Sequence, residues 1–129
     1  MKNLSIKRVC CAIIFRDNKV LIAKRSDKKF KGLWEFPGGK VNNGESDKKC
    51  LERELKEELG IKTSTGEMFC EVKHDYHDFR IHLISYYSKI IKGEPKKIEH
   101  LELKWVDINL LHNYEFLEAD KPIVKKLQN

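Results

Sequence analysis

Two short apolar runs open the hydrophobic pattern of the chain. Residues 9–15 and residues 20–23 are both rich in strand-forming types. Between them Arg16, Asp17 and Asn18 supply residue types that favour a tight turn. This pattern predicts a β-hairpin. A polar, lysine-rich connection follows, and residues 33–36 then give a short strand signal before the Pro-Gly-Gly breaker at residues 37–39.

The apolar positions change to a helical period at residues 46–59. Leu51, Leu55 and Leu59 recur every four residues, which places them on one helical face directed toward the core. Ser46 has the residue type of an N-cap, and Gly60 that of the position just after the last helical turn. A complete capping box is absent, because a lysine stands where Glu or Gln would reach back.

Strand patterns return after this helix. We predict strands at residues 67–73, 80–91 and 101–106, a short helix at 107–111 capped by Asp107, and a final helix at 121–127. The order of strands, helix, strands and helix predicts an α/β fold in which helices cover a mixed sheet. A length of 129 residues fits one domain, residues 1–129.

Composition narrows the class of protein. No apolar run approaches the roughly 20 residues needed to cross a bilayer, and the first residues lack the apolar segment of a signal peptide. We therefore expect a cytoplasmic protein. The four cysteines show no metal-binding spacing and are interpreted as reduced core residues, while the five histidines are too scattered to indicate a metal site.

The net charge of +6 favours an anionic partner, which can be a nucleic acid, a membrane surface or a phosphorylated small molecule. Residues 24–31 and 74–82 are rich in lysine or histidine, as nucleic-acid contacts often are. They lack an RNA-binding motif and aromatic interleaving. We expect no stable nucleic-acid partner and no membrane partner.

Three carboxylates on the helix need an explanation. At about 100° per residue, Glu54, Glu57 and Glu58 share one sector beside the leucine stripe. Like charges at this spacing repel by a few tenths of a kcal/mol per pair, and a bound divalent cation converts that repulsion into attraction. Arg53 can reach Glu57 one turn away and orient it. Glu52 and Lys56 lie farther round the helix, where we expect a solvated ion pair.

The segment from Gly39 to Ile61 has a defined spacing. Its matching positions are Gly39, Glu45, Arg53, Glu54, Leu55, Glu57, Glu58, Gly60 and Ile61. This pattern resembles the Nudix box (residues 39–61) at every defined position. Residues 35–40, Glu-Phe-Pro-Gly-Gly-Lys, and residues 119–122, Ala-Asp-Lys-Pro, resemble the MutT-type and CTP-pyrophosphohydrolase-type branch.

The resemblance implies a fold, a reaction and a set of metal ligands. The fold would be an α/β/α sandwich, and the enzyme would use Mg²⁺, or Mn²⁺, to hydrolyse a nucleoside triphosphate to the monophosphate and pyrophosphate. Position by position, it implies that Glu54, Glu57, Glu58 and the Gly38 carbonyl are metal ligands and that Arg53 orients them. Glu45 lies at the helix start, where it can brace the loop.

The base that activates the attacking water is not fixed by the pattern. Glu57, Glu58 and a downstream carboxylate can each take this role. The resemblance favours Glu99, as ligand or base, over the neighbouring Glu102. Lys40, next to the box, is expected to contact phosphate.

The nucleoside base should be held by residues outside the box. By position the candidates are Arg25, Phe36, Tyr76 and Asp120, although the aromatic rings can equally pack in the core and Arg25 can be a solvated cation. Asp120 is informative, because enzymes of this branch specific for oxidised guanine carry Asn there, whereas the CTP type carries Asp. An ionised Asp accepts from cytosine N4 and from guanine N1 and N2 alike, and Asp120 can also cap the last helix. Both 8-oxo-dGTP and (d)CTP-like substrates remain open.

Two other functions stay open beside this one. A noncatalytic nucleotide-binding module with the same fold would ordinarily have lost carboxylates that this chain retains. A hydrolase of ADP-ribose or dinucleoside polyphosphates should carry further motifs after the box. The sequence is compatible with a monomer or a homodimer.

Overall fold

Strand β1 (Ser5–Arg16) is the central element of the fold, because other strands pair with both of its edges. The computed structural model describes residues 4–129. Strand β2 (Lys19–Lys24) pairs with the end of β1 in an antiparallel hairpin, with Phe15 opposite Val20. Asp17 takes a left-handed conformation in the turn, with φ of 56°. The predicted hairpin is confirmed.

The remaining strands extend a mixed sheet from β1 and β2. Strand β3 (Trp34–Glu35) pairs with β2, and strand β4 (Gly38–Lys40) lies antiparallel on one edge of β1. Strands β5 (Lys62–Asp75) and β6 (Phe79–Lys92) form a long antiparallel pair, and β6 runs parallel to β1 on its other edge. Strand β7 (Glu102–Asp107) pairs with β2. Within the described residues these seven strands form one mixed sheet.

The sheet carries an apolar cluster on each face, as the two-residue period of β1 requires. Cys10, Ala12 and Ile14 pack against Leu51, Leu55 and Leu59 on one face. Cys11 and Ile13 face the opposite cluster, which includes Phe36, Phe116 and Ile123. Helices therefore cover both faces of a mixed sheet, and the predicted fold class is confirmed.

Helix α1 (Asp47–Leu59) begins and ends where the sequence predicts. The Ser46 side chain accepts a hydrogen bond from the Lys49 N–H at 3.2 Å. Gly60 ends the helix in the left-handed region, with φ of 68°, and its N–H donates to the Lys56 carbonyl. The final helix, α2 (Lys121–Gln128), has Pro122 in its first turn. A 3-10 helix, Ile108–Asn113, precedes it, and the Asp107 carboxylate accepts from the Asn109 N–H.

Some local expectations need correction. Gly38 and Gly39, interpreted as a breaker, instead form β4 with Lys40, because their backbone pairs with residues 9–11 of β1. The expected Glu52–Lys56 ion pair is wrong, since the Glu52 carboxylate accepts from the N–H and hydroxyl of Thr65. Strands β5 and β6 are longer than predicted. In residues 4–129 the helices are all too short or too polar to span a bilayer.

Candidate active site

A cavity of about 700 Å³ opens between β1, the turn at residues 25–30, the end of α1 and the segment before α2. Nine of the residues singled out from the sequence line it: Arg25, Phe36, Gly38, Lys40, Glu54, Glu58, Tyr76, Glu99 and Asp120. Two others, Arg53 and Glu57, are not part of the lining. The fold thus brings most of the candidate residues to one place, although they come from distant parts of the chain.

The carboxylates of α1 differ in their surroundings. Glu58 is buried, the Glu54 side chain is 17% exposed, and the Glu57 side chain is 57% exposed. Burial, together with the charges of Glu35, Glu54 and Glu99, raises the pKa of Glu58 to about 9. Burial also raises the pKa of Glu54, against the opposing effect of Arg53. Burial therefore disfavours the charged form of both carboxylates, and a bound cation would favour it.

Arg53 holds the carboxylates together. Its guanidinium donates to Glu45 at 2.8 and 3.0 Å, to Glu54 at 2.7 Å and to Glu57 at 3.3 Å. Its fourth partner is the Lys40 carbonyl at 3.2 Å. The hydrogen bond from Arg53 lowers the pKa of Glu45 to about 2, and Glu45 also accepts from the Asn42 N–H, so it joins the loop to the helix. The expected reach from Arg53 to Glu57 is confirmed.

Gly38 and Gly39 permit a close approach that a larger residue would block. A Cβ on Gly39 would overlap the carboxylate of Glu54, and one on Gly38 would overlap the Cys10 carbonyl. Because neither residue has a side chain, β4 lies directly between β1 and α1. This contact places the backbone of β4 beside the carboxylates.

The donor atoms fit a divalent cation. Carboxylate and carbonyl oxygens are the ligands that Mg²⁺ prefers. Among the described residues, the buried Oε2 of Glu58 has no hydrogen-bond partner, and such atoms normally have one. Mutual repulsion and an unpaired buried oxygen are both relieved by a bound cation.

Glu99, rather than Glu102, faces this cluster. Glu99 lies on the cavity wall, and its charge contributes to the raised pKa values of Glu54 and Glu58. Its carbonyl accepts from the Ser26 hydroxyl at 2.7 Å, which fixes the loop against the turn after β2. Glu102 instead lies in β7, opposite Lys24, with its carboxylate 3.6 Å from the Lys104 ammonium.

Asp120 is held deeper in the cavity. Its Oδ2 accepts from the Phe36 N–H at 2.9 Å, and no hydrogen bond from its side chain caps α2. Of the two roles left open for Asp120, capping of α2 by its side chain is not observed, since residue 120 itself has helical backbone angles and its carboxyl turns inward to Phe36. Burial and the charge of Glu35 raise the pKa of Asp120 to about 8.

The aromatic candidates have packing partners as well as a cavity face. Phe36 is buried and stacks on Phe116 at 5.3 Å between centroids. Tyr76 packs against Phe30 and Phe79, and its hydroxyl accepts from the Ala119 N–H at 3.1 Å. Tyr76 thereby fixes the residue next to Asp120.

Sequence reasoning missed Glu35 and His100. The Glu35 carboxylate accepts from Arg25 at 2.8 Å and lies 2.9 Å from His100 Nε2. Arg25 also pairs with Asp27 at 2.6 Å, so it is not a solvated cation. Two sequence features could have drawn attention to these residues. Glu35 is a charged residue in a short apolar strand, next to Phe36, and His100 directly follows the candidate Glu99. Neither signal indicates that these side chains meet. Lys7, Lys29 and Phe79 also line the cavity.

Comparison with known proteins agrees with this geometry. The family described as NUDIX domain matches residues 9–126. A CTP pyrophosphohydrolase of Escherichia coli (strain K12) is 38% identical over 120 residues, which cover 91% of this chain and 87% of that protein. An 8-oxo-dGTP diphosphatase of the same strain is 30% identical over 113 residues, covering 87% of this chain and 88% of that protein. The chain belongs to the NUDIX domain family, and the family expected from residues 39–61 is confirmed.

Solved structures show the same fold. A MutT NUDIX hydrolase from Burkholderia pseudomallei superimposes with a TM-score of 0.87 at 28% identity, and the match covers 95% of this chain and 98% of that one. The cavity therefore lies in a scaffold shared with MutT proteins.

The raised pKa of Asp120 predicts a pH dependence of stability. An ordinary Asp pKa of 3.8 in the unfolded chain and about 8 in the folded chain means that the folded state binds the proton more tightly. The free energy of unfolding should therefore fall as pH rises from about 4 to 8. Asp120→Asn keeps an acceptor for the Phe36 N–H and cannot ionise, so this slope should become shallower in urea unfolding between pH 5 and 8.5.

Glu118→Gln is the matched control for this measurement. Glu118 is two residues away and exposed, and its ion pair with Lys121 lowers its pKa. Because Glu118 stays ionised above pH 5, its contribution to the free energy of unfolding should not change between pH 5 and 8.5. A plot of unfolding free energy against pH should therefore run parallel for Glu118→Gln and the unaltered protein. Parallel curves for Asp120→Asn as well would contradict the buried ionisable Asp120.

Proposed function

We propose that the protein is a Mg²⁺-dependent nucleoside triphosphate pyrophosphohydrolase of MutT type. It hydrolyses a nucleoside or deoxynucleoside triphosphate to the monophosphate and pyrophosphate, and so cleanses or regulates the nucleotide pool of the cytoplasm. One observation carries this proposal. The carboxylates of α1 and the backbone of β4 line one part of the cavity, and Phe36 and Asp120 line another part of the same cavity. Mn²⁺ can replace Mg²⁺, and the active species is a monomer or a homodimer.

The acidic part of the cavity suits a triphosphate only when a cation is bound. Glu54, Glu57, Glu58 and the Gly38 carbonyl would hold it, and Glu99 would be left free to act as the base. When bound, the cation neutralises the repulsion between carboxylates and phosphates and polarises the phosphoryl oxygens. Arg53 keeps Glu54 and Glu57 in place through the hydrogen bonds described above. Lys7, Lys29 and Lys40 on the cavity wall add positive charge that attracts the anionic substrate.

Glu99 is the proposed proton acceptor for the attacking water. Glu54 and Glu57 both accept hydrogen bonds from Arg53, and the burial of Glu58 suits it to hold a cation. Glu99 makes no ion pair within residues 4–129, and it lines the cavity together with Glu54 and Glu58. A carboxylate that is not already paired is free to take the proton.

The other part of the cavity would hold the base. Phe36 offers a ring face and Asp120 a carboxyl group that is already oriented by the Phe36 N–H. Tyr76 positions the backbone beside Asp120, and the pair of Arg25 and Glu35 adds polar groups. This set supports either a (d)CTP-like substrate or 8-oxo-dGTP. The relatives above are named for CTP and for 8-oxo-dGTP.

The proposal is tested by pyrophosphate release with Mg²⁺ over one panel: 8-oxo-dGTP, dGTP, dCTP, CTP and 5-substituted dCTP. ADP-ribose is followed in parallel by its own products. A strong preference for one triphosphate supports the proposal and identifies the substrate. Binding of these nucleotides without turnover would overturn it in favour of a noncatalytic module, and turnover of ADP-ribose alone would overturn it in favour of another hydrolase.

Glu57→Gln should reduce turnover by at least about 100-fold, because it removes a ligand charge while leaving the core intact. The exposure of Glu57 means that the fold should be retained, which circular dichroism checks. Glu52→Gln is the matched control on the same helix, since Glu52 bonds Thr65 and does not line the cavity. Equal turnover in the two variants would exclude Glu57 as a metal ligand.

Asp120→Asn should change the choice of base more than the maximal rate on the best substrate. The substitution exchanges a carboxyl for a carboxamide at the position that faces the base, so it changes donors and acceptors without changing size. The measurement is kcat/KM for dCTP and 8-oxo-dGTP in both proteins. A uniform loss across all nucleotides would indicate that Asp120 supports the fold rather than base choice.

A further inference from the structure

The segment that carries Glu99 lies outside the helices and strands. Residues 93–101 connect β6 to β7 through bends and irregular backbone. A group that accepts a proton in a reaction must be held in place, because a misplacement of about 1 Å can cost about 100-fold in rate. Regular backbone pairing does not supply this precision here, so other contacts must fix the position of Glu99.

Two backbone contacts join this segment to the end of β2 and to the turn after it. The Glu99 carbonyl accepts from the Ser26 hydroxyl at 2.7 Å. The Leu101 N–H donates to the Lys24 carbonyl at 2.9 Å. These two contacts lie on either side of residue 100, so the backbone is fixed just before and just after the His100 side chain.

The His100 side chain makes a third contact, in a buried setting. Its Nε2 lies 2.9 Å from Oε2 of Glu35, and only 5% of the His100 side chain and 14% of the Glu35 side chain are exposed. A carboxylate can only accept, so the ring donates its Nε2 proton. The other oxygen of Glu35 accepts from Arg25 at 2.8 Å. Glu35 is therefore held from two sides and gives His100 a fixed partner.

The chemistry of the His100–Glu35 pair points to position rather than to stability. Replacing both partners of a buried hydrogen bond by apolar groups of the same shape can be nearly neutral or stabilising. A hydrogen bond adds what apolar packing lacks, which is a defined distance and direction between two groups. The pair therefore suits a segment that must present one side chain in one place.

We propose that His100 is a positioning residue whose hydrogen bond to Glu35 holds Glu99 where it can accept the proton of the attacking water. The inference rests on the proposed function, since it takes Glu99 as the base. The effect of His100 on the reaction passes through Glu99. Glu35 is the shared partner, so one carboxylate orders both Arg25 in the cavity wall and His100 beside Glu99.

His100→Leu should lower kcat for the preferred triphosphate by at least about 10-fold, because it removes the donor and releases Glu99. KM should change little, since the groups that hold the phosphates are untouched. His100→Gln is the matched control, because its amide N–H can reach Glu35, and it should recover most of the lost kcat. Unchanged kcat in His100→Leu, or an equal loss in both variants, would overturn the proposal.

His100→Asn covers the case in which His100→Leu does not fold, which circular dichroism checks. Its amide is one methylene shorter than that of Gln, so it should not reach Glu35 and should lose kcat as His100→Leu does. An Asn variant as active as the Gln variant would contradict the role of the hydrogen bond.

A double variant separates positioning from general damage to the fold. Once Glu99→Gln has removed the base, adding His100→Leu should cause no further fall in kcat, because the two residues act as one unit. Losses that multiply would show that His100 supports the fold independently of Glu99, and the positioning role would be wrong.

Hydrogen exchange of the Leu101 amide tests the segment without any hydrolysis. This N–H donates to Lys24 directly after His100, so its exchange rate reports local opening. His100→Leu should speed the exchange by at least about 10-fold, and His100→Gln should not. Unchanged exchange in His100→Leu would overturn the positioning role and leave the proposed function intact. If the unaltered protein hydrolysed no triphosphate, the proposed function would fail, and the positioning role would fail with it whatever the exchange rate.

Discussion

The contact between β4 and α1 is the constraint on which the site depends. Strand β4 is only three residues long, and it lies against β1 on one side and against the Glu54 carboxylate on the other. Any side chain at Gly38 or Gly39 would separate these elements. The absence of two side chains therefore determines where the helix carboxylates lie relative to the sheet, and the cavity forms at that junction.

Electrostatic repulsion is the second organising feature. The fold gathers Glu35, Glu54, Glu58 and Glu99 around one cavity in a protein whose net charge is +6. Arg53 offsets part of the repulsion and Arg25 another part. Burial, together with the remaining repulsion, raises the pKa of Glu54 and of Glu58. The ionised forms of these carboxylates are destabilised around the cavity, as is common at functional sites.

Local periodicity was enough to predict the helix and its carboxylates. Ser46, Gly60 and the leucine stripe define α1 almost to the residue, because capping and helical spacing act over a few residues. The hairpin at Asp17 and Asn18 was predictable for the same reason. The family was indicated by the resemblance of residues 39–61 to the Nudix box.

Long-range contacts were beyond such reasoning. The sequence could not show that Asp120 turns inward to the Phe36 N–H, since a helix cap is the commoner use of an Asp at that position. It also gave no reason to join Glu35 and His100, which are far apart in the chain. The resemblance favoured Glu99 over Glu102, but only the placement of β7 shows that Glu99 lines the cavity while Glu102 lies in the strand.

The pairing of β1 also bears on the order in which the protein folds. The hairpin with β2 joins neighbours, so it can form early, whereas the parallel pairing joins Ser5 to Phe79 and must close a long loop. The cavity has walls from both halves of the chain. A growing chain on the ribosome therefore cannot complete the site until most of its length has emerged, and Glu99 joins the carboxylates of α1 only at that late step.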